Sequence, residues 1–360
     1  MKAVVLHETG KLAVEDVPKP PLGSSEVMVR VTDCGICGSD IRYFHGENPW
    51  AQHTLGETRT NPRNIIPGHE VAGIVEEVGE NASRSLLGKR VAVLSFRADE
   101  TCYWCQRGER ELCPNTQHMG HGAGWGERDL YYGGMAEYVP VWETHVFPLP
   151  DHISNEEATI LDPLAVGVHA VERAKPIPGE TALVMGTGVI GLCAIQVLKA
   201  YGASEIICAD VDDLHLEIGS KVGANHRVNV RTEDLSEVVS ALTDGLGVRV
   251  IIDSVGRPLK ETLPILARGG RLINLAVHDR SESVNQLMLA GEKTVTTAAN
   301  FKYEEYPIAM DLLSTGRVNA QALITHRFPI DDAIEAFRVA DKKELTGAVK
   351  VVIKPLTSET

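Results

Sequence analysis

The sequence predicts an α/β protein in two parts, a β-rich half and a doubly wound half with a parallel sheet, and three observations carry that prediction. Up to about residue 150, short β-type runs at 2–6, 27–32, 71–78, 90–94 and 136–141 alternate with turn residues, the pattern of a barrel or sandwich. From about residue 155 the pattern changes to strands alternating with helical stretches, at 181–185, 190–201, 205–210 and 214–222, which is a βαβ signature. Where the first of those strands meets the first of those helices lies Gly186-Thr187-Gly188-Val189-Ile190-Gly191, a glycine-rich turn with the spacing of a dinucleotide fingerprint.

The alternation continues through strands at 248–253, 271–276 and 294–298. A helix near 306–314 and a closing strand near 348–353 follow, and the tail is expected to return to the first part. A chain of 360 residues is too long for one ordinary core. The expected division is 1–155 for the β-rich domain, 156–300 for the nucleotide-binding domain and 301–360 for the return.

Composition narrows the function classes. A formal net charge of −14, spread along the sequence, speaks against a phosphate-backbone partner, so no nucleic acid is expected. Seven cysteines, three of them closely spaced, favour metal over disulfides in a reducing compartment. The opening MKAVVLHETG lacks the apolar stretch of a signal peptide, and no run of about 18 apolar residues suggests a membrane span. A cytoplasmic protein with no membrane partner is expected.

Two zinc sites are implied. Asp99, Cys102, Cys105 and Cys113 place four soft or anionic ligands within fifteen positions, which suits a closed tetrahedral site with a structural role. Gly108 and the dense Arg and Glu around it put this lobe in a surface loop. Cys37 and the pair His69-Glu70 are scattered instead, which suits an open site able to do chemistry.

The glycine turn follows an apolar strand and opens a helix. Its glycines let backbone approach a pyrophosphate, and the helix N-terminus supplies N–H donors, so Gly186, Gly188, Val189, Ile190 and Gly191 are expected to hold the cofactor. Asp210, at the end of the second strand, can accept hydrogen bonds from the adenosine ribose and repels a 2′-phosphate, which favours NAD over NADP. It is also placed to cap the following helix.

Together, Gly35-Ile36-Cys37-Gly38-Ser39-Asp40, Gly68-His69-Glu70, the cysteine lobe, Gly133-Gly134-Met135-Ala136-Glu137-Tyr138, Asp162-Pro163-Leu164-Ala165 and the glycine fingerprint resemble the zinc-dependent medium-chain alcohol dehydrogenases, most closely the polyol and threonine dehydrogenase branch. The resemblance covers nearly the whole chain. It implies a GroES-like β-barrel catalytic domain beside a Rossmann domain, with the active site in a cleft between them, and a homodimer or homotetramer. It matches Cys37 and His69 to catalytic zinc ligands, Glu70 to a carboxylate that is a direct or outer ligand, and Asp162, one methylene short, to the place of a remaining Cys or Glu ligand. It matches Asp40 to the carboxylate that orients His69, and Ser39 to the hydroxyl that passes the substrate proton onward. Arg42 stands where many polyol enzymes have a histidine, with His45 nearby, so the proton leaves either by a rebuilt relay or directly through water. Lys302 replaces a frequent arginine, without the planar fork that grips vicinal hydroxyls. Trp50, Trp125 and Tyr131 are candidates for apolar walls of the cleft or for packing.

The activity implied is oxidation of a secondary alcohol, such as a polyol or sugar alcohol, to a ketone. Zinc with an open position holds the substrate oxygen and lowers its pKa, and the alkoxide expels hydride toward the nicotinamide. The alternative is a NAD-binding zinc protein of the same fold with a structural or regulatory role.

Overall fold

A computed structural model describes residues 1–276, 278 and 281–356, so the last four residues of the expected 301–360 return lie outside the described residues. The chain divides into two compact units, Met1–Asp162 with the segment from Ile324 onward, and Pro163–Leu323.

The first unit is built on a sheet in the order Ile324–Pro329, Lys350–Lys354, Glu26–Gly35, Glu70–Val78, Arg90–Val93 and Val146–Pro148, with Tyr138–Trp142 also paired to Glu26–Gly35. Alternating valines of Glu26–Gly35, Val27, Val29 and Val31, point into one apolar core with Val71, Val75, Val91, Val93, Val139 and Val141. The expected strand at 2–6 exists as Lys2–Glu8, but it pairs with Lys11–Asp16 in a separate hairpin. Closing strand Lys350–Lys354 runs antiparallel to Glu26–Gly35, so the C-terminal return adds a strand beside the one that leads into Cys37.

The second unit holds a six-stranded sheet, all parallel, in the order His226–Asn229, Glu205–Asp210, Thr181–Met185, Val248–Asp253, Leu266–Asn274, Thr294–Thr297. Numbered along the chain this is 3-2-1-4-5-6, the doubly wound order whose direction reverses beside the first strand, where a dinucleotide binds. Residues 301–323 belong to this unit rather than to the return. Helix Glu305–Ser314 is anchored there by a buried pair, His169 Nδ1 to Glu305 Oε1 at 2.9 Å, and Asn319 N–H donates to Gln196 Oε1 at 2.7 Å. Lys302 is exposed at the start of this segment.

Candidate active site

Cys37 ends the extended run that leaves Glu26–Gly35 and stands at the N-cap of the short helix Gly38–Phe44. Glu70 begins the neighbouring strand Glu70–Val78, and His69 immediately precedes it. Cys34 and Gly35 of the first strand pair with Val71 and Glu70 of the second, so the register alone brings Cys37 to the His-Glu pair. Gly35 is required here: a Cβ would lie 2.0 Å from Glu70 Oε2. One ligand atom each from Cys37, His69 and Glu70 lies within 4.8 Å of the others, a spacing that fits a metal ion bound by sulfur, nitrogen and oxygen.

Asp40 makes no hydrogen bond to His69 in this structure. Its Oδ2 accepts the Cys37 N–H at 2.9 Å and its Oδ1 the Gly68 N–H at 3.2 Å, while His69 Nδ1 stays 3.8 Å away and without a hydrogen-bond partner. As third residue of its helix, Asp40 is bound to the two turns that carry the ligands, so it fixes their backbones rather than a ring. Asp162 stands in the first turn of helix Leu161–Ala174, buried, and its Oδ2 accepts from Ser95 Oγ at 2.9 Å. It lies outside the Cys37-His69-Glu70 set. Burial pushes its pKa up to about 6, against the pull of His69.

Four residues at this site have no role in the sequence reading. Lys350 is fully buried and donates to Glu70 Oε1 at 2.6 Å and to the Ile36 carbonyl at 3.0 Å. Burial opposes its charge, but Glu70 and Cys37 hold its pKa above the ordinary value. A lysine opening an otherwise apolar run, Lys350-Val351-Val352-Ile353, was the available signal. Ser95 is the second, positioned by the strand Arg90–Val93 just before it. His118 and His121, from the glycine-rich stretch after the lobe, are the third and fourth. Their rings stack 4.2 Å apart at 16°, and His121 meets His69 edge-on at 4.6 Å. Burial, with His69 as a further cause, holds His118 down to about 3, and burial, His118 and His69 hold His121 well below the ordinary value. His69 itself is pushed up to about 10: burial opposes the charge, and Cys37 and Asp40 overcome it. A site this rich in anionic groups gathers a proton where a metal cation would otherwise sit.

Ser39 Oγ faces His121 Nε2 at 3.4 Å. Both sequence candidates for the next step have other partners. Arg42 is bound to Glu47 and Gln52, and His45 Nε2 to Asp341 at 2.9 Å. Trp125 and Tyr131 line a cavity of about 250 Å³ with Met119, Tyr132 and Trp142. Trp125 stacks on Trp142 at 5.4 Å and donates to the His118 carbonyl at 2.9 Å, so it supports the histidine stretch. Trp50 is half-buried.

In the lobe, ligand atoms of Asp99, Cys102, Cys105 and Cys113 lie within 4.8 Å of one another. Asp99 Oδ1 accepts the Thr101 and Cys102 N–H groups, both at 2.9 Å, and Oδ2 accepts from Asn115 Nδ2 at 2.6 Å. These bonds, Asn115 first, hold its carboxyl well below the ordinary range. Burial and the neighbouring Cys102 and Asp99 push the Cys105 thiol up. A divalent cation relieves such crowding of acids, and the donor set fits zinc.

The glycine turn fits a pyrophosphate. A Cβ at Gly186 would lie 2.5 Å from Ser254 Oγ, and one at Gly191 1.8 Å from the Gly186 carbonyl, whereas Gly188 faces open space at the N-cap of helix Val189–Ala200. That N-cap has no side-chain acceptor, which leaves the first N–H groups for an anion. Asp210 accepts from Thr187 N at 2.5 Å, Thr187 Oγ1 at 2.9 Å and Val211 N at 2.6 Å. The following helix is capped by Asp212 instead.

Residues 23–151 match the alcohol dehydrogenase GroES-like domain family, and residues 189–315 the zinc-binding dehydrogenase family. The chain is 32% identical to a sorbitol dehydrogenase of Bacillus subtilis (strain 168) over 358 residues, 99% of this chain and 97% of that protein. It is 32% identical to an L-threonine 3-dehydrogenase of Anaeromyxobacter dehalogenans (strain 2CP-C) over 345 residues, 94% of this chain and 95% of that one. Among solved structures it is similar to an alcohol dehydrogenase (rspB) of E. coli CFT073 complexed with NADH, with a TM-score of 0.88, 26% identity and coverage of 98% and 99% of the two chains.

Proposed function

The chain belongs to the zinc-dependent medium-chain alcohol dehydrogenases, of the polyol and threonine dehydrogenase branch, and on that premise we propose that it oxidises a polyol-like secondary alcohol to a ketone with NAD. The observation that carries this reading is the Cys37-His69-Glu70 set, with the Ser39 hydroxyl at its edge. Zinc and NAD are the cofactors. Zinc supplies Lewis acidity to the substrate oxygen and NAD accepts the hydride.

In this reading Cys37 and His69 bind the metal, and Asp162 or Glu70 completes its ligands. Glu70 carries the charge of Lys350 and therefore brings little net charge to the metal. Ser39 hydrogen-bonds the substrate oxygen and takes part in removing its proton. Asp40 keeps the two ligand-bearing turns together. Gly186, Gly188, Val189, Ile190 and Gly191 receive the pyrophosphate, and Asp210 meets the adenosine ribose while holding Thr187. The lobe binds the second zinc and serves the fold.

A homodimer or homotetramer is part of the proposal. Thr294–Thr297 is an edge strand of the parallel sheet, and Val295, Leu287 and Leu289 are exposed large apolar side chains. An open edge beside apolar surface is what a symmetric partner covers. Among the described residues, no helix is long and apolar enough to cross a membrane.

The test is a panel of polyols, sugars, amino alcohols and cyclic or terpenoid alcohols scored by NADH formation, with mass by light scattering on the same sample. A secondary alcohol that responds and a mass of two or four chains are expected. No NADH from any member, with zinc and NAD both bound, would leave the structural or regulatory reading in its place.

A further inference from the structure

Arg42, at the position where the resemblance places a histidine, binds Glu47 and Gln52, and the Ser39 hydroxyl faces a different ring. Its neighbour is His121, 82 residues further along the chain. The ring is 5% exposed and closed in on three sides: His118 stacks at 4.2 Å, His69 lies edge-on at 4.6 Å, and Tyr43 is tilted against it at 4.6 Å.

The backbone on each side of it is pinned as well. Gly120 and Gly122 have φ of +73° and +68°, and a Cβ at Gly120 would lie 2.6 Å from the Gly68 carbonyl, one at Gly122 2.9 Å from Pro62. Both positions thus need glycine, and the first presses His121 against the turn that carries His69. His118 is held in turn by its Nδ1 on the Met119 carbonyl at 2.9 Å. The result is a rigid ring facing a small rotor.

We infer that His121 is a positioning residue that fixes the Ser39 hydroxyl toward the substrate oxygen. A serine side chain has three staggered wells and a free hydroxyl torsion, and a hydrogen bond to an immobile ring nitrogen selects one of them. Preorganised polar groups at a reacting oxygen lower the barrier because they need not reorient during reaction. No proton has to leave His121 for this role. The inference rests on the proposed contact of Ser39 with the substrate.

A double-mutant cycle tests it, using the zinc- and NAD-loaded enzyme and a responding alcohol. His121→Phe keeps the ring stack and removes the nitrogen; it is expected to lower kcat about tenfold with the KM for NAD unchanged. In a Ser39→Ala background the same change should have no further effect, and His121→Gln should recover part of the loss. Losses that add in the double variant overturn the inference while leaving the Ser39 reading intact. Full turnover in Ser39→Ala overturns both. Ligand atoms of Asp40, His69 and His121 also lie within 4.8 Å of one another, so zinc content is the control. Loss of zinc in His121→Phe would make the ring a metal ligand and overturn the positioning role. A readout independent of turnover is the imidazole ¹⁵N spectrum of the zinc-free protein. The Nε2 signal of His121 should move on Ser39→Ala, and a fixed signal overturns the hydrogen bond.

Discussion

The cysteine lobe and the Cys37-His69 cluster are both candidate metal sites in one unit, built in opposite ways. The lobe takes its four ligands from Asp99 to Cys113, a single surface loop, and its charge is balanced by backbone amides and Asn115. The open site collects residues from strands and turns far apart in sequence, buries nearly all of them, and sets a buried lysine against one carboxylate. A local loop can lose its metal and still leave a sheet behind it. A buried convergent site cannot lose a charge so lightly, because a buried charge such as Glu70 is compensated by a partner, Lys350, that comes from far along the chain.

The sharpest break in that comparison is in turnover. Cys37→Ala or His69→Ala should lower kcat/KM by at least about 10³-fold, with one zinc retained in the lobe and NAD affinity unchanged. Calorimetry with NAD and metal analysis of the purified variants check this, and substantial turnover in either would remove the open site from the chemistry.

Lys350→Met comes next. It strands Glu70 in a site where both side chains are fully buried, and denaturant unfolding should show a loss of about 3–5 kcal/mol. Lys350→Met with Glu70→Gln should recover much of it, since a matched neutral pair leaves no buried charge. If the two losses simply add, the pair is not the unit described here.

The lobe should give the reverse pattern. Asp99→Ala is expected to lose one of two zinc ions per subunit and lower Tm while turnover survives. Asp99→Asn keeps an acceptor for the Thr101 and Cys102 amides and should lose the metal with a smaller fall in Tm. A wild-type ratio of one zinc per subunit, unchanged in Asp99→Ala, would mean that the lobe holds no metal.

The cofactor turn lies between these extremes, with its parts about two dozen residues apart. Asp210→Ser should shift preference from NAD toward NADP, and it should also weaken NAD binding because Thr187 loses both its bonds to that carboxylate. Steady-state constants for both cofactors separate the two effects. The smallest effect is expected from Asp162→Asn, which keeps the acceptor for Ser95 and should reduce open-site metal less than Cys37→Ala. Metal content that collapses in Asp162→Asn but survives in Cys37→Ala would reverse that ranking.

How much of this was legible follows from distance along the chain. The lobe and the glycine turn are written in nearby residues, and apolar runs announced the central parallel strands, whereas the short edge strand His226–Asn229, with one buried apolar residue, gave no such signal. The motif places Asp40 beside His69, and only the fold shows that its oxygens accept from the Cys37 and Gly68 amides, which a sequence motif does not display. The return of the chain was expected at 301 and begins at Ile324, since helix Glu305–Ser314 is tied by its buried Glu305 to His169.

By itself, then, the sequence determined the αβ alternation, the glycine turn and the family, and it named two candidate ligand sets whose atoms the fold gathers. Tertiary structure alone decided what surrounds the reactive groups: Lys350 against Glu70, Ser95 on Asp162, and His118 and His121 beside Ser39 and His69. The physical reason is that ligand spacing and helix or strand period are local properties of the chain, whereas charge compensation and hydrogen-bond partners in a buried site depend on strand register and on which distant segments the core brings together.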